Sequence, residues 1–163
     1  MEICVELDGV FRDLRFSACH FIPGHEKCSR LHGHDYFLKI KVYGEQGSEG
    51  MLLDFSKLKE YAREIIAKLD HHVLLPSKNS DLKIERKGEE IEVWHGKKHY
   101  IFPASDCVLC EIEHVTAESL AEYICNLLAE RLKDYKNLVR IQCGVAEGIG
   151  QIAWFERGLN PCG

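Results

Sequence analysis

The sequence predicts an α+β chain, with strands at both ends, two helices between them and no strict β-α alternation. Three observations carry this. Apolar and polar side chains alternate at period two over residues 14–20 and again over 36–42. The period lengthens to that of a helix over 55–69 and over 116–132. Period two then returns over 139–147. At 163 residues the chain has the length of one ordinary domain, taken as 1–163.

The first strand lies in "FRDLRFSACHFI", where Leu14, Phe16, Ala18 and His20 share one parity and Arg15, Ser17 and Cys19 the other. "GHEKCSRLHG" interrupts as a loop. "HDYFLKIKVYG" resumes the alternation, with Tyr36, Leu38, Ile40 and Val42 on one face and Lys39 and Lys41 on the other. Gly44, Gly47 and Gly50 mark a turn region. Phe55, Leu58, Ala62, Ile65, Ile66 and Leu69 recur at helical spacing, with Asp54 or Ser56 as the cap and an end near Leu69. Residues 76–113 read as a polar, charged excursion from the core. There "DLKIERKGEEIEVWHGKKHYIFP" gives short strands separated by "KGEE" and "HGKK" turns. The second helix follows at 116–132, with Leu120, Tyr123, Ile124, Leu127, Leu128 and Leu132 as its apolar stripe. Thr116 fits the N-cap, and Glu118 suits the positive end of the helix dipole. Val139, Ile141, Cys143, Val145 and Glu147 share one parity of the next strand. "EGIG" turns, and "QIAWFER" returns.

Apolar residues make up 45% of the chain and charged residues 29%, which predicts a packed core rather than disorder. The net charge of -5 argues against non-specific nucleic-acid binding. No apolar run approaches the roughly 20 residues that cross a bilayer, and "MEICVELDGVFRDLRF" lacks a charged-then-apolar signal pattern. A cytoplasmic protein with no membrane and no nucleic-acid partner is expected. Eight cysteines without an export signal point to metal binding, catalysis or buried thiols rather than a disulfide framework.

The chemistry concentrates in "CSRLHGH". His32 and His34 are two apart, so at a strand start both imidazoles point to the same side. His20, at the end of the preceding strand, can supply a third nitrogen. Three histidines with an open fourth position is the arrangement of a catalytic zinc site. Cys28 fits either a fourth ligand or a nucleophile or base held near the metal. Asp70 and His71 in "LDHH" form an acid-base pair or a helix C-terminal cap region. Glu147 shares the parity of an apolar face. It is either a buried carboxylate in need of a partner, such as the paired N–H groups of a guanidine-like ring edge, or a solvated turn residue.

As an ordered set, "FSACH" (16–20), "CSRLHGH" (28–34), "GMLLDFSKLK" (50–59), "LDHHVL" (69–74), "VTAESLAEYI" (115–124) and "VAE" (145–147) resemble the 6-pyruvoyltetrahydropterin synthase / 6-carboxytetrahydropterin synthase family. The resemblance implies the T-fold: a four-stranded antiparallel sheet with two helices on one face, here with a strand-rich insertion at about 76–113. It implies trimers that stack into hexamers, with active sites at subunit boundaries. It also implies zinc on His20, His32 and His34, a catalytic thiol at Cys28, and Asp70 and His71 completing a proton relay. Glu147 would anchor the aminopyrimidine edge of a pterin, and Thr116 would contact the ring. The implied substrate is 7,8-dihydroneopterin triphosphate. One branch of the family eliminates triphosphate to give 6-pyruvoyltetrahydropterin. The other also releases acetaldehyde and leaves 6-carboxytetrahydropterin, on the route to deazaguanine tRNA bases. The four-residue step from Cys28 to His32 is similar to the second branch; the first is longer there.

The chain departs from the family pattern at Val115, where many members have Pro, at Leu75, often Asn, and at Gly148, usually Thr. Cys107 and Cys110 form a CxxC with no second close pair, which predicts a rim disulfide or two free thiols rather than another zinc site.

Overall fold

A long strand, β3 (His32–Gly44), organises the chain. The structure, a computed structural model, describes residues 1–159; residues 160–163, Cys162 and the end of the expected 1–163 domain among them, lie outside the described residues. One edge of β3 is covered twice. Strand β1 (Ile3–Asp8) pairs antiparallel with its C-terminal half and β2 (Arg15–His20) with its N-terminal half. A single helical turn, α1 (Gly9–Arg12), separates the two. Gly9 makes this step possible, because a Cβ there would lie 2.1 Å from the Leu38 carbonyl oxygen.

On the other edge of β3 run β9 (Leu138–Glu147) and then β10 (Ile152–Gly158), both antiparallel to their neighbours. The predicted antiparallel four, β10-β9-β3-β2, are therefore contiguous. The sheet is wider than predicted. β4 (His72–Pro76) lies parallel to β2, β8 (Cys107–Cys110) lies parallel to β4, and with β1 the total is seven strands.

Both helices pack on one face of this sheet, against Phe16, Tyr36, Leu38, Ile40, Cys143 and Val145. Helix α2 (Phe55–Ile66) is capped by Asp54, whose carboxylate accepts the Ser56 N–H at 2.7 Å. Such a cap contributes about 1 kcal/mol. Helix α3 (Ala117–Leu132) is capped by Thr116 and buries Leu120, Ile124, Leu128 and Leu132. Each fully buried side chain of this size stabilises the fold by roughly 1.5–3 kcal/mol. Leu127, expected on that stripe, is 38% exposed. Val139 is likewise exposed, and Leu138 is buried in its place. A register shift opposite Tyr43 and Gly44 reverses the parity there, as a β-bulge does.

The segment read as an excursion is a three-stranded antiparallel sheet of β5 (Lys83–Lys87), β6 (Glu90–His95) and β7 (Lys98–Pro103). Its tight turns stand where "KGEE" and "HGKK" were read. It packs on the face of the main sheet opposite the helices, where Ile91 and Val93 meet Phe21, Val73 and Leu75 in a second core. The expected 76–113 excursion does not hold to its end, because β8 returns to the main sheet. Cys107 and Cys110 are both free thiols. Cys107 packs in the second core and Cys110 in the first, on opposite faces of β8. Burial pushes the Cys107 thiol up to about 11 and the Cys110 thiol up to about 12, so both stay protonated at neutral pH.

Candidate active site

The antiparallel register places His20 directly opposite His32 and Ala18 opposite His34. Alternation turns His32 and His34 to the helix-facing side of β3, and His20 meets them from β2. Ring centroids lie 4.5 Å apart for His20 and His32, 5.1 Å for His32 and His34 and 5.3 Å for His20 and His34. One ligand atom from each lies within 4.8 Å of the others, and among the described residues this is the one such group; Cys28 is not in it.

The backbone orients two of the rings. His20 Nδ1 lies 2.6 Å from the Val115 carbonyl and His32 Nδ1 lies 2.7 Å from the Arg30 carbonyl. A carbonyl only accepts, so both Nδ1 atoms carry the proton and both Nε2 lone pairs are left free. This is how proteins orient metal-binding imidazoles. His20 Nε2 is buried without a hydrogen-bond partner among the described residues, which leaves its lone pair available to a metal. Burial holds the His20 imidazole down at about 4, aided by its histidine neighbours, although the Val115 hydrogen bond pulls upward. The ring is therefore neutral and ready to ligate. The Val115 contact runs through its carbonyl, so the departure from Pro leaves it intact.

Two residues beyond His34 on the same face, Tyr36 is fully buried, stacks on Phe16 at 4.9 Å and has no partner for its hydroxyl among the described residues. Sequence reasoning assigned it to the core alone, although its parity with His32 and His34 was visible.

Cys28 lies half-buried in the loop between β2 and β3. Its N–H donates to His25 Nδ1 at 3.0 Å, and its carbonyl accepts from Ile22 N–H at 2.7 Å. Glu147 ends β9, 3.9 Å from His34 Nε2. It shares a cleft of about 320 Å³ with Thr116, Ile22 and Gln151. Glu147 is thus a strand residue at the lip of a cleft, not a solvated turn residue. Gly148 takes φ +77, a conformation that strains a threonine, so the departure there has a backbone cause.

Asp70 and His71 lie elsewhere. The Asp70 carboxylate accepts the Ser17 N–H at 2.8 Å and the His71 ring N–H at 2.7 Å. Burial works to raise its pKa, but these hydrogen bonds outweigh it and hold the carboxyl below its ordinary value. His71 sits at φ +60, fixed by an N–H bond to the Ser17 carbonyl, and its side chain is 80% exposed. It borders a cleft with Ser17, Cys19 and Asp35, whose parity turns them away from the three histidines, and the lining also takes in His34. One chain therefore assembles the histidine cluster beside the Glu147–Thr116 cleft and holds the Asp70–His71 pair on the opposite face of the sheet.

The site is a three-histidine cluster that could hold a metal, beside a cleft lined by Glu147 and Thr116, and likeness to known proteins places the chain among the pterin synthases. The model of the 6-pyruvoyl tetrahydropterin synthase family matches residues 9–158, and the chain belongs to that family. A Methanocaldococcus jannaschii protein carrying the 6-carboxy-5,6,7,8-tetrahydropterin synthase name is 36% identical over 96% of this chain and 98% of its own. A Rickettsia typhi protein of the same name is 32% identical over 74% of this chain and 80% of its own. Among solved structures, the Plasmodium falciparum 6-pyruvoyl tetrahydropterin synthase superposes with a TM-score of 0.87 at 31% identity, covering 96% of this chain and 98% of that one.

Proposed function

We propose that the protein is a zinc-dependent 6-carboxy-5,6,7,8-tetrahydropterin synthase, converting 7,8-dihydroneopterin triphosphate to 6-carboxytetrahydropterin with release of acetaldehyde and triphosphate. The observation that carries this reading is the Cys28–His32–His34 spacing, joined to three imidazoles whose free nitrogens converge. The names of the relatives support it. His20, His32 and His34 would hold the zinc, which when bound supplies Lewis-acid polarisation of the substrate's side-chain oxygens. The Glu147 carboxylate accepts paired N–H bonds from the aminopyrimidine edge, and Thr116 borders the ring. Cys28 moves protons at the side-chain carbons. Asp70 holds the proton on His71 Nδ1 and so keeps Nε2 as the exchanging atom.

A single chain does not bring His71 to Cys28, so we take the relay to come from a neighbouring copy, as in the trimers stacked to hexamers that the resemblance implies. Among the described residues no helix is long and apolar enough to cross a membrane. A cytoplasmic place on the route to deazaguanine tRNA bases belongs to the same proposal. A second reading, 6-pyruvoyltetrahydropterin synthesis, is favoured by the likeness to the Plasmodium falciparum enzyme. Mass spectrometry of the products from dihydroneopterin triphosphate separates the two. Acetaldehyde with 6-carboxytetrahydropterin supports the first; 6-pyruvoyltetrahydropterin without acetaldehyde overturns it.

A further inference from the structure

Among the described residues, the three-stranded sheet makes its hydrogen bonds to the Cys28 loop through one side chain. Strand β7 turns Lys98, Tyr100 and Phe102 to the same side, and Tyr100 and Phe102 pack into the second core. A lysine in line with two core aromatics is costly unless its ammonium finds acceptors. Among the described residues it makes no ion pair. Its Nζ donates instead to the Ser29 carbonyl at 2.6 Å, with the Ser29 hydroxyl at 3.4 Å. Charge-assisted bonds of this length are among the stronger ones available to a protein.

Apart from the Arg30 carbonyl, which accepts from the His32 ring where β3 begins, the loop's other hydrogen bonds among the described residues stay within it. Ile22 N–H donates to the Cys28 carbonyl, Ser29 N–H to the His25 carbonyl, and Cys28 N–H to the His25 ring. They shape the loop but do not fix it to the rest of the molecule. A second attachment lies at its start, where Phe21, the residue after His20, is fully buried and stacks on Tyr100 at 5.4 Å and on His95 at 6.2 Å. Phe21 fixes the metal-ligand end of β2; Lys98 fixes the residue beside the thiol.

We propose that Lys98 is a positioning residue, which holds the Cys28 loop against the three-stranded sheet and so sets where the thiol stands relative to the histidine cluster. The proposal rests on Cys28 acting as the catalytic thiol. It gives the segment between β4 and α3 a part in the reaction that its charge and distance from the histidines conceal. Lys98 belongs neither to the histidine cluster nor to the lining of the Glu147–Thr116 cleft. It acts through the Ser29 peptide.

The test uses the intact protein and its Lys98→Met and Lys98→Arg variants. Hydrogen exchange read by mass spectrometry on peptides covering 22–31 reports the loop without reference to turnover. Lys98→Met is expected to speed exchange there about tenfold, with α3 and β9 unchanged and zinc content unchanged. Its kcat on dihydroneopterin triphosphate is expected to fall about 10- to 100-fold, the cost of a reacting group displaced by about an ångström, with KM changed less than about twofold. Lys98→Arg, which keeps the donors, is expected to restore most of both. Unchanged exchange in 22–31, or protection lost equally across the whole sheet, overturns the proposal. So does a loosened loop with kcat intact. If the wild type makes no product at all, the assigned reaction fails, while the exchange data still decide whether Lys98 holds the loop.

Discussion

The two faces of the main sheet treat their histidines in opposite ways. On the helix-facing side, His20 is 1% exposed and backbone carbonyls fix the tautomers of His20 and His32. On the other side, His71 is 80% exposed on its side chain, in a left-handed backbone conformation, with its ring held by Asp70 and its N–H by the Ser17 carbonyl. The first group is finished within one chain: its free nitrogens already face one another. The second carries its exposed ring at a separate cleft with Ser17, Cys19 and Asp35. A backbone strained at an exposed histidine is stored structure, and such strain persists where function uses it. Under the proposed function, the contrast means that half of this site is built by folding and the other half by assembly of copies.

The largest expected effect breaks the finished half. His32→Ala removes one of three ligands, and zinc measured on the purified protein should fall from about one per chain to near none. Turnover should fall by roughly a thousandfold or more, because an open three-ligand site cannot hold its metal on two. Cys28→Ala should lower turnover by about 10²- to 10⁴-fold and keep its zinc. A Cys28→Ala protein that loses its metal would show the thiol to be a ligand and end the division of labour proposed above.

The unfinished half predicts complementation. Cys28→Ala and His71→Ala should each be nearly inactive alone. Unfolded together in equal amounts and refolded, they should regain about a quarter of wild-type activity, the fraction of boundary sites that draw an intact Cys28 from one chain and an intact His71 from another. No recovery in mixed oligomers would place the relay within a single chain.

These two halves were not equally legible. The histidine cluster could be read because β2 and β3 both alternate strictly: parity put Phe16, Ala18 and His20 on one face and Tyr36, Leu38 and Ile40 on the other strand's matching face, and the loop between them was short. What parity cannot give is which face of the sheet a residue beyond a helix will reach, so the residues alone left Asp70 and His71 as either an acid-base pair or a helix cap region. The missed strands failed for other reasons. β4 is parallel and buried along most of its length, so "HVLLP" carries little alternation, and the parallel β8, "CVLC", is only 4 residues long. β1 does alternate, Ile3, Val5 and Leu7 against Cys4, Glu6 and Asp8, and the signal was there to be read. Val139 was misplaced because a bulge leaves no mark in a parity count. Lys98 could not have been found: its bond to Ser29 spans 69 residues and depends on how the small sheet docks.

The smallest effect sharpens the comparison at Asp70. Its carboxyl is held below the ordinary 3.8, so the folded state favours the charged form. Its contribution to stability is then fully present above pH 3.8 and is lost as pH falls through the lower folded value. Asp70→Asn should melt below the wild type at neutral pH, and the gap should close as acid protonates the wild-type carboxylate. The carboxylate is more than a third exposed, so solvent screens it and the gap should stay under about 1 kcal/mol. Activity should respond far more than stability, because an amide at Asp70 no longer fixes the His71 tautomer. A variant equally affected in melting and in turnover would make Asp70 a structural cap of the turn after α2, and the exposed histidine beside it would lose its claim to the relay.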